Sequence, residues 1–317
     1  MQVDSPPTVD IIFGSFCFTY AALSQILYLL IVITIVRNRR KMPYLGSPFF
    51  SLVISQFISD FVFFLHFNIL MRGRKFGLFA TFWLSNSPET KFVGRYTNAS
   101  HYYNKLTVYI GQILFAFNRY FVFKNNRKNW SNRMLWTLRS VQFILPLFYI
   151  IPFNSRSSLS LYYTYDSIYI IRLVLDPLTL NTSAMVDTIT SSTATVLCIY
   201  FYLRTFFIIR STLSTIDSTQ RKIEMKSEIR LMLSSMVVFF VLIANAISQI
   251  LLLIADKNGE SGGKSDFNVA SVHDLIYPFI DLSYTSKPWA LLFISPSLRK
   301  AVWQELICGF GVIHIQI

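Results

Sequence analysis

The sequence predicts an all-α membrane protein, built as a bundle of seven membrane-spanning helices. Seven apolar runs alternate with short polar segments, and about twenty helical residues cross the hydrocarbon core of a bilayer. Of the 317 residues, 53% are hydrophobic and only 14% are charged, whereas charged residues form about a quarter of a soluble domain. In lipid a helix satisfies its own backbone hydrogen bonds, so each run is predicted to be helical. The loops are too short for another folded unit, and we therefore predict a single domain over residues 1–317.

Polar and basic segments set the limits of the predicted spans. The first three spans end in runs rich in lysine and arginine, which anchor helix ends at the membrane surface. The fourth span is the weakest, because Arg139, Gln142 and Pro146 interrupt it. The predicted spans are 11–36, 48–70, 101–123, 134–153, 186–209, 231–254 and 272–294.

A short amphipathic helix is predicted after the seventh span, over residues 296–307. Ser295 and Pro296 form the pattern of an N-cap followed by proline at the first helical position. Apolar Leu298 and Val302 then recur at helical spacing against charged neighbours. The segment is too short to cross a bilayer, so it is predicted to lie in the inner membrane interface.

The distribution of basic residues predicts that the N-terminus lies outside the cell membrane and the C-terminus inside. With this orientation the inner segments contain most of the lysines and arginines, as the positive-inside rule requires. The basic run 72–75 falls outside and counts against it. The orientation also places two N-glycosylation sequons outside, at Asn98 and Asn181, and a third, at Asn129, inside.

The net charge of +13 does not indicate nucleic-acid binding. The basic residues flank the spans, where they meet anionic lipid, and no aromatic-basic RNA-binding signature is present. The three cysteines are too few for a disulfide framework, and Cys17 and Cys198 fall within apolar runs. We therefore predict a lipid bilayer as partner, with no nucleic acid, no cofactor and no metal site.

Polar side chains within the spans are candidates for a ligand or ion site, because a charge in the bilayer costs about 3 kcal/mol. Asp60 lies in span two, Asn245 and Gln249 lie one turn apart in span six, and Asp281 lies in span seven. Such groups also form hydrogen-bond networks that only hold a bundle together. The sequence leaves both interpretations open.

A pocket for a small molecule is predicted in the outer half of the bundle, because cavities between helices are common ligand sites. Tyr102, Lys105 and Tyr109 recur at spacings of three and four residues, so they share one face of span three. Gln112 and Tyr277 are further candidates. Tyrosine and lysine at an outer helix end also serve as interfacial anchors, which is the alternative interpretation.

The motif Asn118-Arg119-Tyr120 closes the inner end of span three. An arginine at this depth can extend its guanidinium to the membrane interface. It can also act as a cation that changes partners between two helix arrangements. The position and composition of the motif resemble the Asp-Arg-Tyr element of heptahelical receptors.

A set of short motifs in a fixed order resembles the nematode serpentine chemoreceptors of the srg superfamily, in particular its srv class. The motifs are Pro48-Phe49-Phe50, Asp60, Asn118-Arg119-Tyr120, Pro288 and Ser295-Pro296-Ser297-Leu298-Arg299. The resemblance implies a receptor that detects small chemicals and couples through Asn118, Arg119 and Tyr120 to a heterotrimeric G protein. It also implies a place on the cilium of a sensory neuron.

The chain departs from rhodopsin-like receptors in three ways. No cysteine stands at the outer end of span three, span six has no proline or tryptophan, and span seven lacks a full Asn-Pro-x-x-Tyr motif. The alternatives are a ligand-gated ion channel subunit or a transporter. A transporter would show paired repeats and a channel a pore-lining ring or filter, and the sequence shows neither. No constellation of catalytic residues is evident, so we predict that the protein is not an enzyme.

Overall fold

A computed structural model describes residues 8–85, 88–125, 130–154, 161–164, 172–175, 177–213, 219–260 and 269–309. Eight long helices, named α1 to α8, account for most of these residues. They are α1 (Thr8–Asn38), α2 (Pro48–His66), α3 (Pro88–Lys124), α4 (Asn132–Asn154), α5 (Pro177–Leu213), α6 (Thr219–Glu260), α7 (Val269–Ile294) and α8 (Pro296–Gly309). Each of the seven predicted spans therefore has a helix, and α8 is the predicted interfacial helix.

Three helices are much longer than their predicted spans. The α3 helix begins at residue 88 instead of 101, and α5 begins at residue 177 instead of 186. The α6 helix covers 219–260 instead of 231–254. Hydrophobicity marks only the part of a helix that lies in hydrocarbon, whereas the backbone hydrogen bonds continue beyond it. The polar helix ends are therefore not visible in an apolar pattern.

Between α4 and α5 the structure adds two strands to the predicted helices. Strand β1 (Leu161–Thr164) pairs with β2 (Arg172–Leu175) in an antiparallel hairpin, with Leu161 opposite Leu175. The sequence predicted only a loop there. The strands contain two tyrosines, a threonine and a valine, which favour strands, but each strand has four residues and gives too short a pattern to predict.

The outer end of α2 continues as a π-helical segment, Phe67–Arg72, followed by helical turns at Gly73–Lys75 and Ala80–Trp83. A π-helical segment is rare and is often found at functional sites. It extends α2 to the arginine at its end, so Arg72 is held against the bundle. A 3₁₀ turn at Pro43–Gly46 joins α1 to α2.

The helices surround α3, which packs against α2, α4, α5 and α6. The α7 helix packs mainly against α6 and α1, and α1 also contacts α2. One large apolar cluster fills the inner half of the bundle between α1, α2, α3 and α7, and α8 contributes Leu298 and Val302 to it. A second apolar cluster joins α3, α5 and α6. This central position lets α3 present side chains to most of the other helices.

Five helical segments in the described part of the chain are long and apolar enough to cross a membrane. They are Gly14–Asn38, Pro48–Arg72, Lys91–Lys124, Met185–Thr212 and Glu228–Leu251. The side chains of the other two predicted spans, α4 and α7, are described only in part, and their described parts carry polar groups. These groups include Arg139 and Gln142 on α4, and Asp281 and Lys287 on α7.

The α8 helix is docked onto the inner end of α1. Ser295 caps it, because the Leu298 N–H donates to the serine hydroxyl, and Pro296 takes the first helical position as predicted. Arg37 on α1 donates a 2.5 Å hydrogen bond to Glu305, and Asn38 donates another at 3.3 Å. The Arg37 guanidinium, followed by the Asn38 amide, holds the pKa of Glu305 below its ordinary value.

Candidate functional site: buried polar networks of the bundle

The interior of the bundle contains ion pairs that join different helices. Asp60, Asp281, Asn245 and Gln249, which the sequence singled out for a ligand or ion site or a hydrogen-bond network, all have buried side chains. It does not bring them together in one site. The two aspartates each have their own basic partner, so they do not form a carboxylate pair.

Asp60 on α2 is paired with Lys287 on α7. The Lys287 ammonium lies 2.7 Å from each carboxylate oxygen of Asp60, and both side chains are fully enclosed. Gln56, one turn below Asp60, donates a 2.8 Å hydrogen bond to the same carboxylate. Two buried opposite charges with good geometry offset the cost of removing each from water. The pair therefore fixes α7 against α2.

A chain of amides extends this network to α4. The Gln142 side chain donates to Gln56 at 3.0 Å and accepts from Ser55 at 3.2 Å. Gly111 on α3 provides the space, since a Cβ atom there would lie 1.6 Å from the Gln56 Oε1 atom. Gln142, one of the residues that interrupt the fourth predicted span, thus connects α4 with α2 and α3.

Asp281 on α7 is paired with Arg72 at the outer end of α2, with 2.5 Å between Oδ2 and Nη2. The Tyr284 hydroxyl donates to Asp281 at 2.5 Å, and Asn68 accepts from Arg72 at 2.7 Å. The π-helical segment places both Asn68 and Arg72 on the side that faces α7. Arg72 belongs to the basic run 72–75, which counted against the predicted orientation, and its side chain points into the bundle.

A third network joins α3, α5 and α6 in the outer half of the bundle. Lys105 on α3 is paired with Asp187 on α5, and both side chains are buried. The Tyr109 hydroxyl donates to Asp187 at 3.4 Å and accepts a 2.8 Å hydrogen bond from Asn245 on α6. The Asn245 Oδ1 atom is buried and has no hydrogen-bond partner in the described part of the chain. The predicted pocket residue Tyr109 therefore contacts both Asp187 and Asn245, and Lys105 joins the same network through Asp187.

The remaining pocket candidates are less closely connected. Tyr102 is half-buried, with its ring 5.5 Å from His101. Gln249 is buried on α6, one turn from Asn245. The Tyr277 side chain lies outside the described residues.

Gln112 lines a cavity deeper in the bundle, with an empty volume of about 280 Å³. Lys287, Ser234 and Ser235 line it as well, together with apolar residues of α1, α2, α3, α6 and α7. The Gln112 Nε2 atom is buried and has no hydrogen-bond partner in the described structure. The cavity therefore lies on the inner side of the Asp60–Lys287 pair, and Phe49, which contacts Arg119, forms part of its wall.

The motif Asn118-Arg119-Tyr120 lies at the inner end of α3, where Arg119 is paired with Glu228 on α6. The Nη1 atom of Arg119 is 2.5 Å from the Glu228 carboxylate, and the arginine side chain is only 1% exposed against 28% for the glutamate. The guanidinium also lies 3.9 Å from the centre of the Phe49 ring on α2. Asn118 is fully buried, whereas Tyr120 is half-buried against Phe201 on α5.

The two glycosylation candidates lie on different helices, Asn98 on α3 and Asn181 on α5. Asn98 lies within α3 and its side chain is buried, so a glycan on its amide would require this part of α3 to change its packing. The backbone of Asn181 belongs to α5, but its side chain lies outside the described residues. Within the described part of the chain, no three His, Cys, Asp or Glu side chains lie close enough to hold a metal ion.

Sequence reasoning did not identify the partners of the predicted site residues. These partners are Arg72, Asp187, Glu228 and Lys287. Each is a charged residue within or at the end of an apolar run, and that is a usable signal, because such a charge needs a partner. The sequence gives no means of deciding which positive and negative groups meet.

The comparisons with known proteins agree with this architecture. Residues 17–308 match the model of the family described as "Serpentine type 7TM GPCR chemoreceptor Srv". The chain belongs to this family. The resemblance to the srv class is thereby confirmed, and with it a multi-pass membrane receptor. No curated protein is significantly similar to the chain.

Among solved structures, the Srv-family chain is similar to squid rhodopsin. The TM-score is 0.68, and the alignment covers 95% of this chain and 87% of the rhodopsin chain. The sequences are only 14% identical. The likeness therefore concerns the fold, and it supports the seven-helix bundle that the sequence predicted.

Proposed function

We propose that this Srv-family chain is a chemosensory receptor that binds a small molecule from outside and activates a heterotrimeric G protein inside. The observation that carries the proposal is the contact between Arg119 and Glu228, which joins the inner ends of α3 and α6. The family and the rhodopsin-like fold support a receptor of this type. The protein acts in the cell membrane, with its N-terminus outside, and in the cilium of a sensory neuron.

The Arg119–Glu228 pair has the properties of a contact that can exchange partners. Arg119 is buried, and its Nε and Nη2 atoms have no hydrogen-bond partner in the described structure. Glu228 is partly exposed at the inner surface, so water competes for its carboxylate. If Glu228 moves away, the Arg119 guanidinium loses the one carboxylate that it contacts in the described structure. A cytosolic partner that supplies an acceptor to Arg119 would therefore favour an arrangement in which α6 has moved away from α3.

The outer network provides the place at which a ligand could favour the same arrangement. Lys105, Asp187 and Asn245 lie on α3, α5 and α6, and two of these helices are those joined by Arg119 and Glu228. A ligand shifts a conformational equilibrium only by its difference in affinity for the two states. A ligand that replaces one contact of the outer network changes the free-energy difference between the two arrangements of α6 relative to α3. The G protein binds at the inner end, where these two arrangements differ.

The test uses membranes that contain the chain and a purified heterotrimeric G protein, and it measures nucleotide exchange on the Gα subunit. Glu228→Gln should raise basal exchange, because the charge that holds Arg119 to α6 is lost. Arg119→Ala should abolish exchange at an equal amount of protein in the membrane. Lys226→Gln is the matched control, since Lys226 is an exposed neighbour on the same helix and should leave exchange unchanged.

Each outcome is decisive for the proposed coupling. The assay is run with several classes of Gα subunit, so the identity of the physiological G protein is not required. If Glu228→Gln leaves basal exchange unchanged with every class, the pair does not restrain the receptor. If expressing cells give ligand-evoked currents when all G proteins are inhibited, the channel interpretation replaces the receptor.

A further inference from the structure

The cavity that Gln112 lines has the composition of a small-molecule site. Its empty volume is about 280 Å³, and its walls come from α1, α2, α3, α6 and α7. Most of the residues that line it are apolar, among them Phe115, Val238 and Leu291. A concave space with apolar walls and a few polar groups is the usual form of a ligand pocket.

Two hydrogen-bond donors on the wall of the cavity are not fully used, and they lie on different helices. Gln112 on α3 is only 4% exposed, and its Nε2 atom has no hydrogen-bond partner among the described residues. The Lys287 ammonium on α7 has three hydrogens, and its contacts in the described structure are with the two carboxylate oxygens of Asp60. The Gln112 amide and one hydrogen of Lys287 are therefore left for another acceptor.

The serines that line the cavity on α6 do not act as donors towards it. The Ser234 hydroxyl donates to the Leu231 carbonyl oxygen at 2.8 Å, and the Ser235 hydroxyl donates to the same oxygen at 3.1 Å. A hydroxyl has only one hydrogen, so both are used within α6. The donors that remain belong to α3 and α7, and a ligand must supply the acceptor.

The surroundings of these donors indicate a ligand without a net charge. The charge of Lys287 is already balanced by Asp60. An ion among the apolar side chains of the cavity would lose its hydration without gaining a counter-charge. A carbonyl oxygen has two lone pairs and no hydrogen, so it can accept from the Gln112 amide and offer a second lone pair to Lys287.

We propose that this cavity is a second ligand site, which binds a small neutral carbonyl compound such as a ketone or an ester. The carbonyl oxygen accepts from Gln112 and Lys287, and the carbon skeleton packs against Phe115, Val238 and Leu291. The contact is non-covalent, because an ammonium group has no lone pair with which to attack the carbonyl carbon.

The position of the cavity predicts that the compound inhibits the receptor. Val238 on α6 and Phe115 on α3 both belong to its wall, and so does Phe49, which contacts Arg119. A compound that fills the space between α3 and α6 favours the arrangement in which Arg119 is paired with Glu228. The inhibition rests on the proposed function, whereas the binding does not.

The test measures binding to the purified full chain in lipid nanodiscs, without any G protein. The probe is cyclopentanone, and its matched control is methylenecyclopentane, which has the same ring with a CH₂ group in place of the oxygen. Cyclopentylamine, which is charged at neutral pH, is the second control. A ligand that binds the folded state raises the midpoint of thermal unfolding in a concentration-dependent way.

The measured quantity is the ratio of the affinities for the ketone and for the hydrocarbon, compared between the parent and Gln112→Leu. The comparison cancels the different hydration and lipid partitioning of the two compounds. Gln112→Leu has a side chain of similar size without the donor, so the ratio should fall about tenfold, the difference that one buried hydrogen bond provides. The ligand-free midpoint should be unchanged or raised, since the variant removes a buried donor without a partner.

A second variant locates the site by filling it. Val238→Phe places a ring in the cavity and should weaken the binding of both cyclopentanone and methylenecyclopentane. Val237→Phe is the matched control, because the neighbouring Val237 is 41% exposed on the outside of the bundle, whereas Val238 is 5% exposed. This control should bind both compounds like the parent, so an effect of the compounds on the surrounding lipid is separated from binding.

Three results would overturn the site: no rise of the parent's midpoint with cyclopentanone, an affinity ratio that Gln112→Leu leaves unchanged, or equal binding by Val238→Phe and Val237→Phe. Tighter binding of cyclopentylamine than of cyclopentanone would overturn the choice of a neutral ligand.

The nucleotide-exchange assay then tests the inhibition. Cyclopentanone should lower basal exchange in the parent and leave it unchanged in Gln112→Leu. Binding without a fall in basal exchange would refute the inhibition and leave the site in place. A chain that gives no exchange with any class of Gα subunit would refute the proposed coupling, and the binding result would still decide the site.

Discussion

The ammonium of Lys287 on α7 lies 2.7 Å from both carboxylate oxygens of Asp60 on α2. Both groups are buried in the part of the bundle that faces the inner cavity. The pair is neutral as a whole, so it can stay in the membrane interior although either charge alone would be costly there. It explains how two helices of limited direct contact remain fixed to each other.

The pair should be essential only as a pair. Asp60→Asn leaves the Lys287 ammonium buried without a counter-charge, which costs about 3–5 kcal/mol, and should greatly reduce the amount of folded protein. The double variant Asp60→Leu with Lys287→Met contains neither charge and should recover most of the loss. The measurement is the thermal midpoint of the detergent-solubilised chain. Arg37→Gln is the control, because its exposed pair with Glu305 is worth about 1 kcal/mol or less. An Asp60→Asn chain as stable as the parent would contradict the prediction.

Phe49 should act as a second restraint on Arg119. The guanidinium lies 3.9 Å from the ring centre, and a buried cation–π contact is worth about 2 kcal/mol. Phe49→Leu keeps an apolar side chain but removes the ring, so basal nucleotide exchange should rise, by less than in Glu228→Gln. Phe49→Trp should keep basal exchange low. Phe115→Leu is the control, since Phe115 packs against the Phe49 ring. Equal effects of Phe49→Leu and Phe115→Leu would indicate packing alone.

Gly111→Ala should destabilise the chain. The new Cβ atom would lie 1.6 Å from the Gln56 Oε1 atom and 2.8 Å from the Gln142 Nε2 atom, so both amides must move out of their network. Overpacking of this kind costs about 1–3 kcal/mol. Gly46→Ala is the control, because its Cβ atom would lie 3.5 Å from the nearest atom, the Arg39 carbonyl oxygen. The thermal midpoints of the two variants decide the question, and equal midpoints would show that the amide network is not confined by Gly111.

The docking of α8 onto α1 should weaken in acid. The pKa of Glu305 is lowered in the folded protein, chiefly by the hydrogen bond from Arg37. A carboxyl group with a lowered pKa contributes stability that is present above its unfolded pKa, about 4.3, and is lost as the pH falls through the folded value. The protection of the α8 amides, measured as the exchange rate relative to that of an unfolded peptide at the same pH, should therefore fall between about pH 5 and pH 3, in a transition that involves about one proton. Glu305→Gln should exchange faster at neutral pH and show no such transition. A parent chain with the same pH profile as Glu305→Gln would refute the prediction.

Asn98 should carry no glycan in the folded receptor. Its amide is buried within α3, whereas glycosylation requires an asparagine that the transferase can reach. Treatment of the chain with a peptide-N-glycosidase should give the same electrophoretic shift for the parent and for Asn98→Gln. Asn181→Gln is the companion variant, and any shift should disappear with it. A shift that depends on Asn98 would contradict the burial of this side chain.

The sequence was a good guide to the helices and to the interior position of the polar residues. Asp60, Asn245, Gln249 and Asp281 are all buried, because a polar group in an apolar run is costly toward lipid and therefore faces the bundle. The cap of α8 at Ser295 was also predictable, since a capping pattern is local. The lengths of α3, α5 and α6 were not, because their polar ends leave the hydrophobic pattern.

The sequence by itself determined that the chain forms a bundle of apolar helices, since backbone groups in lipid must be satisfied within each segment. It also determined the order of the motifs that place the chain in its family. Only the tertiary structure decided the partners: Lys287 with Asp60, Arg72 with Asp281, Lys105 with Asp187 and Arg119 with Glu228. The two members of each pair lie more than 80 residues apart in the sequence. Their contact therefore depends on how the helices pack and rotate, which no local pattern specifies.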